Sequence, residues 1–98
     1  GVGMMFDLLT FLALLAAQIA DVATTNRILA RGGRELNPVM CWIMDKTGDQ
    51  WAVVKVVLAL IVAVVLWASG MAWAIWIITA LTWAVVLLNW RTLRGMGG

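Results

Sequence analysis

The stretch VVLALIVAVVLWASGMAWAIWIITALTWAVVLLNW, residues 56–90, decides the fold because it holds 35 consecutive residues without a charge. A helix rises about 1.5 Å per residue and the hydrocarbon core of a bilayer is about 30 Å thick, so about 20 residues make one crossing. The apolar segment of residues 51–90 would be about 60 Å long as a single helix, which is two crossings. Ser69-Gly70 is the turn signal inside it. The sequence therefore predicts two antiparallel spans, over about residues 51–68 and 71–90.

A third span precedes this hairpin. Between Leu8 and Asn26 the only charged residue is Asp21, and this run has almost the length that a crossing needs. The Gly32-Gly33 pair ends the helix, because glycine readily adopts the left-handed conformation of a helix C-terminus. We expect the span to cover about residues 6–29.

A short helix is predicted between the first and second spans. Asn37 can cap the free N–H groups of a helix, and Pro38 is suited to the first helical position. The segment of about residues 38–46 is apolar but too short to cross a membrane, so we expect it to lie in the interface. The predicted fold is all-α, a single membrane domain over residues 1–98 with three transmembrane helices plus a short interfacial helix.

Composition supports the membrane and excludes several functions. Hydrophobic residues make up 64% of the chain and charged residues 12%, against roughly 25% charged in soluble proteins. The net charge of +2 comes from residues near the predicted span ends, which argues against nucleic-acid binding. With one cysteine and no histidine, the commonest ligands and bases for zinc, haem and Cys/His catalysis are missing. We expect no metal, no cofactor and no enzymatic activity.

The positive charges predict an orientation. All of them fall toward one side of the three predicted spans, which the positive-inside rule makes cytoplasmic. We expect the inner (cytoplasmic) membrane, with the amino-terminal end outside and the carboxyl-terminal end in the cytoplasm. The residues concerned are Arg27, Arg31, Arg34, Lys46, Lys55, Arg91 and Arg94.

Asp21 and Lys55 mark the candidate site, because charges inside hydrocarbon are costly without a partner or a purpose. Helical spacing places Gln18 and Thr25 on the same face of the first span as Asp21, with Thr24 at its flank. Lys55 enters the second span from the same side at a similar depth. The predicted polar cluster comprises Gln18, Asp21, Thr24, Thr25, Glu35, Asn37 and Lys55.

Three interpretations of this cluster remain open. It holds the spans together through an Asp21–Lys55 pair and threonine hydrogen bonds. Alternatively, Glu35 and Asn37 fold back over Asp21 and bind a cation, a lipid head group or a polar segment of a partner. In the third interpretation Asp21 is a catalytic or transport carboxylate.

The order of these residues resembles a family. Asp21-x-x-Thr24-Thr25, Gly32-x-x-Glu35-x-Asn37-Pro38 and a lysine early in the next span, over about residues 18–60, are similar to the pattern of a domain-of-unknown-function family of small bacterial and archaeal membrane proteins. The resemblance implies a compact fold with several spans. It attaches no activity to the site and does not cover the third span.

The function that we expect is that of a noncatalytic accessory or assembly subunit of a larger membrane complex. Alanines spaced for close helix packing and a tryptophan stripe along the last span favour contact with a membrane-protein partner or a homo-oligomer, within the lipid bilayer. One alternative is a phage-type holin, which shares the three spans, the small size and the basic end. The other is a small ion or proton transporter that uses Asp21.

Overall fold

The computed structural model describes residues 2–33 and 38–96, which form four α-helices and, in these ranges, no strand. The helices are α1 (Val2–Ala30), α2 (Pro38–Thr47), α3 (Trp51–Ala68) and α4 (Ala72–Gly95), with a 3₁₀ turn at Gly48–Gln50 before α3. Three helical segments are long and apolar enough to cross a membrane. They are Gly3–Ala30, Pro38–Ala68 and Ala72–Gly95. The protein is an all-α membrane protein.

The helices α1 and α4 are longer than the predicted spans. Their 29 and 24 residues correspond to about 43 and 36 Å, which exceeds the hydrocarbon thickness of about 30 Å. The predicted third span stopped at Trp90, where the apolar run ends, but α4 continues to Gly95. Arginine is a strong helix former, and a positive charge at a helix C-terminus is favourable, so Arg91 and Arg94 extend the helix into the interface.

Two glycines end the helices at the predicted places. Gly32 has a φ of +84°, and the N–H of Gly33 donates to the Ile28 carbonyl over 2.9 Å. After α3, Gly70 has a φ of +75°, and the N–H of the following residue donates to the Leu66 carbonyl over 2.8 Å. This pattern satisfies the last carbonyls of each helix and requires the left-handed conformation that glycine allows. The Ser69-Gly70 turn therefore returns the chain directly into α4.

The helices α1 and α4 lie parallel and form the main packing seam. Their buried residues recur mostly at intervals of three and four on α1 and of four and seven on α4, the spacing of helices that pack at a small crossing angle. The buried residues are Thr10, Leu14, Ala17, Gln18, Asp21, Thr25 and Ile28 on α1, and Ile75, Thr79, Val86 and Leu93 on α4.

Helix α3 runs antiparallel to both. It places Ala63 in a core cluster with Leu14 and Ile75, with Phe11 and Leu66 packed around them. The small side chain of Ala63 lets the helices approach closely, which matters in lipid because packing rather than the hydrophobic effect drives association.

Helix α2 packs beside the start of α3. Ile43 is buried, whereas Val39 and Trp42 are exposed. The segment Pro38–Ala68, which includes α2, the 3₁₀ turn and α3, is 31 residues long and apolar enough overall to cross a membrane. The interfacial position of α2 stays a prediction, because it depends on the bilayer around the protein.

Candidate polar site between the three long helices

Asp21 on α1 lies at the centre of a buried polar cluster. Its side chain is 11% exposed, and its Oδ2 atom lies 2.7 Å from the Nζ of Lys55 on α3. Lys55 also donates to the Oε1 of Gln18, one helical turn from Asp21. The ammonium group therefore bridges two acceptors on α1, and it is the polar link that attaches α3 to that helix.

Helix α4 supplies a further donor, the amide of Asn89. The Nδ2 of Asn89 lies 3.2 Å from the Oδ1 of Asp21, 3.0 Å from the Oγ1 of Thr24 and 3.2 Å from the Oγ1 of Thr25. Since an amide nitrogen has two hydrogens, it shares them among three acceptors. The hydroxyl of Thr25 donates to the Oδ1 of Asp21 over 3.4 Å. Both carboxylate oxygens of Asp21 thus have partners, one from α3 and one from α4.

A second link to α4 lies one turn away. The Nε2 of Gln18 donates to the Oγ1 of Thr82 over 3.2 Å, and the Thr82 hydroxyl in turn donates to the Ile78 carbonyl over 2.8 Å. Gln18 therefore accepts from Lys55 and donates to Thr82, so one amide side chain connects all three long helices.

The cluster is neutral and internally satisfied. The charges of Asp21 and Lys55 cancel, and among the described residues no buried side-chain nitrogen or oxygen lacks a hydrogen-bond partner. An unpaired polar group in hydrocarbon costs several kcal/mol, and an unpaired charge costs more. The arrangement therefore offsets much of the cost that made Asp21 and Lys55 conspicuous in the sequence.

The structure brings together five of the seven residues that the sequence predicted: Gln18, Asp21, Thr24, Thr25 and Lys55. The other two, Glu35 and Asn37, lie outside the described residues.

Sequence reasoning missed the contribution of α4. Thr82 and Asn89 are seven residues apart and share a helix face with buried Thr79 and Val86. Polar residues within a span usually face the interior of the bundle. The available signal was an asparagine inside the uncharged run of residues 56–90.

A partly enclosed cleft of about 370 Å³ reaches the ion pair from one side. Its polar lining consists of Asp21, Thr25, Lys55 and Thr82. Its apolar walls come from Met40, Trp51, Ile78, Leu81 and Val85. The lining of the cleft is therefore mainly apolar, with its polar part at the ion pair. Among the described residues, no cluster of three His, Cys, Asp or Glu side chains could hold a metal ion there.

Residues 12–95 match the family described as "Domain of unknown function (DUF5658)". The chain belongs to this family. The match includes all of α3 and α4, so the family assignment extends beyond the motif of residues 18–60 and takes in Thr82 and Asn89 as well as Asp21 and Lys55. No curated protein and no solved structure matches the chain. The DUF5658 assignment establishes the family and supplies no activity.

Proposed function

We propose that this DUF5658 protein is a noncatalytic accessory or assembly subunit of a larger membrane complex. The observation that carries the proposal is the closed hydrogen-bond network around Asp21, in which Lys55, Asn89 and Thr25 engage both carboxylate oxygens. A catalytic carboxylate normally keeps an oxygen free to exchange a proton with its substrate. A paired and satisfied carboxylate that joins three helices instead supports a structural role.

The outer surface of the bundle also supports this proposal. A wholly apolar groove runs between α1 and α3, and it is lined by Ala23 and Ala52 together with Ile19 and four valines. Short side chains along a groove allow another helix to approach closely. Trp73 and Trp83 point outward from α4, and aromatic residues of this kind are frequent anchors at protein interfaces.

The test is purification from the native membrane in a mild detergent, followed by identification of the proteins that remain bound. We expect a stable heteromeric complex that the double variant Glu35→Ala/Asn37→Ala loses. The matched control is Asp49→Ala/Gln50→Ala, which alters an acid and an amide before α3 and should retain the partner. A lone monomer, or large homo-oligomeric rings with abrupt cell lysis on induction, would contradict the accessory role, and the rings would favour the holin.

We further propose that the protein lies in the inner membrane with its amino-terminal end outside and its carboxyl-terminal end in the cytoplasm. The support is the positive-inside rule applied to the ends of α1 and α4, where Arg27, Arg31, Arg91 and Arg94 lie. Cys41, the one cysteine, is exposed on α2 and reports on this side. In intact cells a membrane-impermeant maleimide should leave Cys41 unlabelled, whereas lysis should allow labelling. Labelling before lysis would contradict this orientation and favour the opposite one.

A second candidate is ion or proton transport through Asp21, which the cleft favours because it reaches Asp21 and Lys55 from one side. Protein in liposomes with a pH-sensitive dye distinguishes the two. Transport predicts a leak that Asp21→Asn abolishes and that Asp7→Asn, near the other end of α1, leaves unchanged. The accessory role predicts no protein-dependent leak with the native protein or with either variant.

A further inference from the structure

A second site lies where α1 and α4 end together. A pocket of about 400 Å³ is lined by Arg27 and Arg31 from α1 and by Trp90, Leu93 and Arg94 from α4. The Nη1 of Arg31 donates to the Leu93 carbonyl over 3.2 Å. The guanidinium carbon of Arg94 lies 5.2 Å from the centroid of the Trp90 ring, within the range of a cation–π contact. These contacts hold two of the three guanidinium groups against the pocket wall.

The charge of this pocket is unbalanced. Three arginines line it, and in the part of the chain that the structure describes no carboxylate does. The ion pair of the described residues joins Asp21 to Lys55, so it gives these arginines no counter-charge. Like charges held close together repel each other, and an anion between them relieves the repulsion. The planar guanidinium matches phosphate oxygens with two parallel hydrogen bonds, which makes phosphate the anion that this lining suits best.

The position of the pocket along the helix axis indicates whether the phosphate belongs to a lipid or is free in solution. Helix α1 spans residues 2–30, so its middle is residue 16, and Arg27 and Arg31 lie about 16 and 22 Å along the axis from that point. Half of the hydrocarbon thickness is about 15 Å. With the middle of α1 at the bilayer midplane, the backbone of Arg27 and Arg31 falls just outside the hydrocarbon, at the level of the lipid phosphates. Trp90 and Leu93 supply the apolar part of the lining, and tryptophan is favoured at the membrane interface.

We propose that this pocket binds the phosphate of an anionic phospholipid that lies beside the ends of α1 and α4. Basic pockets between transmembrane helices select anionic head groups because the lipid contributes both the phosphate and a position at the right depth. The proposal is independent of the accessory role, since it rests on the arginine pocket and not on the Asp21 cluster.

The experiment measures lipid binding to the purified protein by native mass spectrometry during titration with phosphatidylglycerol or phosphatidylcholine. We expect phosphatidylglycerol to bind with preference, and the variant Arg27→Gln/Arg31→Gln/Arg94→Gln to lose that preference. Arg94→Gln alone should weaken binding at least about tenfold, since hydrogen bonds between charged groups are the strong ones. The matched control is Arg91→Gln, which removes the same charge from the same helix end but lies outside the pocket lining, and it should change binding less than twofold.

Three results would overturn the proposal. Equal losses in Arg94→Gln and Arg91→Gln would mean that diffuse surface charge attracts the lipid. Equal binding of the two lipids would remove the selectivity for an anionic head group. If millimolar inorganic phosphate displaced bound phosphatidylglycerol as effectively as added phosphatidylglycerol does, the pocket would be assigned to free phosphate. Circular dichroism of each variant separates loss of binding from loss of helix, because the arginines are exposed and the variants should remain folded.

Discussion

The α1–α4 pair and the attachment of α3 are built on different principles. The two parallel helices are joined at intervals along their length: the indole of Trp76 donates to the Thr10 hydroxyl over 3.1 Å near one end, and Arg31 contacts the Leu93 carbonyl near the other. Helix α3 relies on packing around Ala63, on an edge contact of Trp67 with Phe11, and on one polar link through Lys55. A distributed seam tolerates the loss of any one contact, whereas a single charged link does not.

The largest effect should follow the loss of Lys55. Lys55→Met leaves Asp21 buried without its cation, and breaking a buried pair costs about 3–5 kcal/mol. We expect this loss in the free energy of unfolding in detergent micelles, together with detachment of α3. Asp21→Asn should cost less, because Lys55 is one turn from the start of α3 and its long side chain can reach the interface. Lys46→Met, an exposed lysine on α2, is the control and should have almost no effect.

The core contact of α3 should give the next largest effect. Leu14 is 1% exposed and packs with Ala63 and Ile75. We expect Leu14→Ala to lower the free energy of unfolding by about 2 kcal/mol, the low end for such substitutions, because the unfolded reference in lipid is also apolar. The control Leu12→Ala removes the same atoms from a side chain that is half exposed. Equal losses in the two variants would show that α3 does not pack on Leu14.

Asn89 belongs to the seam and should matter less than Lys55. Asn89→Leu removes the donor to Asp21 and to two threonines but leaves the ion pair in place. A hydrogen bond to a charged group contributes about 1.5 kcal/mol or more, and we expect a loss near that value. Thermal unfolding in detergent measures it, with Asn26→Leu, an exposed residue near the end of α1, as the reference. No difference between the two leucine variants would remove Asn89 from the cluster.

The smallest effect on stability should come from the end of the α1–α4 seam where Trp76 meets Thr10. Trp76→Phe keeps an aromatic ring opposite Phe6, whose ring centroid lies 6.1 Å away, but it loses the indole N–H that Thr10 accepts. Interhelical hydrogen bonds in membranes average about 0.6 kcal/mol, so a shift of this size is expected in unfolding titrations. Trp73→Phe, an exposed tryptophan one turn earlier, should shift stability less. A loss above that of Asn89→Leu would invalidate the ranking.

The sequence predicted much of this arrangement, because uncharged runs, a Ser-Gly turn and a Gly-Gly helix end are local signals. Pairing of Asp21 with Lys55 followed from their similar depth. The parallel packing of α1 against α4 could not be predicted, because no local sequence signal says which neighbouring span a helix faces. Asn89 lies 68 residues from Asp21, and its role became visible only when packing placed the two on facing helices.

The most direct test of the central claim, that the Asp21–Lys55 pair attaches α3 to the α1–α4 seam, is a double-mutant cycle on unfolding in detergent. Its corners are the native protein, Asp21→Asn, Lys55→Met and the double variant. Since an isolated buried charge costs more than a neutral pair, the double variant should recover much of the stability that Lys55→Met loses. We expect a coupling free energy of at least about 2 kcal/mol. Losses that simply add would contradict direct pairing, and with it the account of how α3 is held.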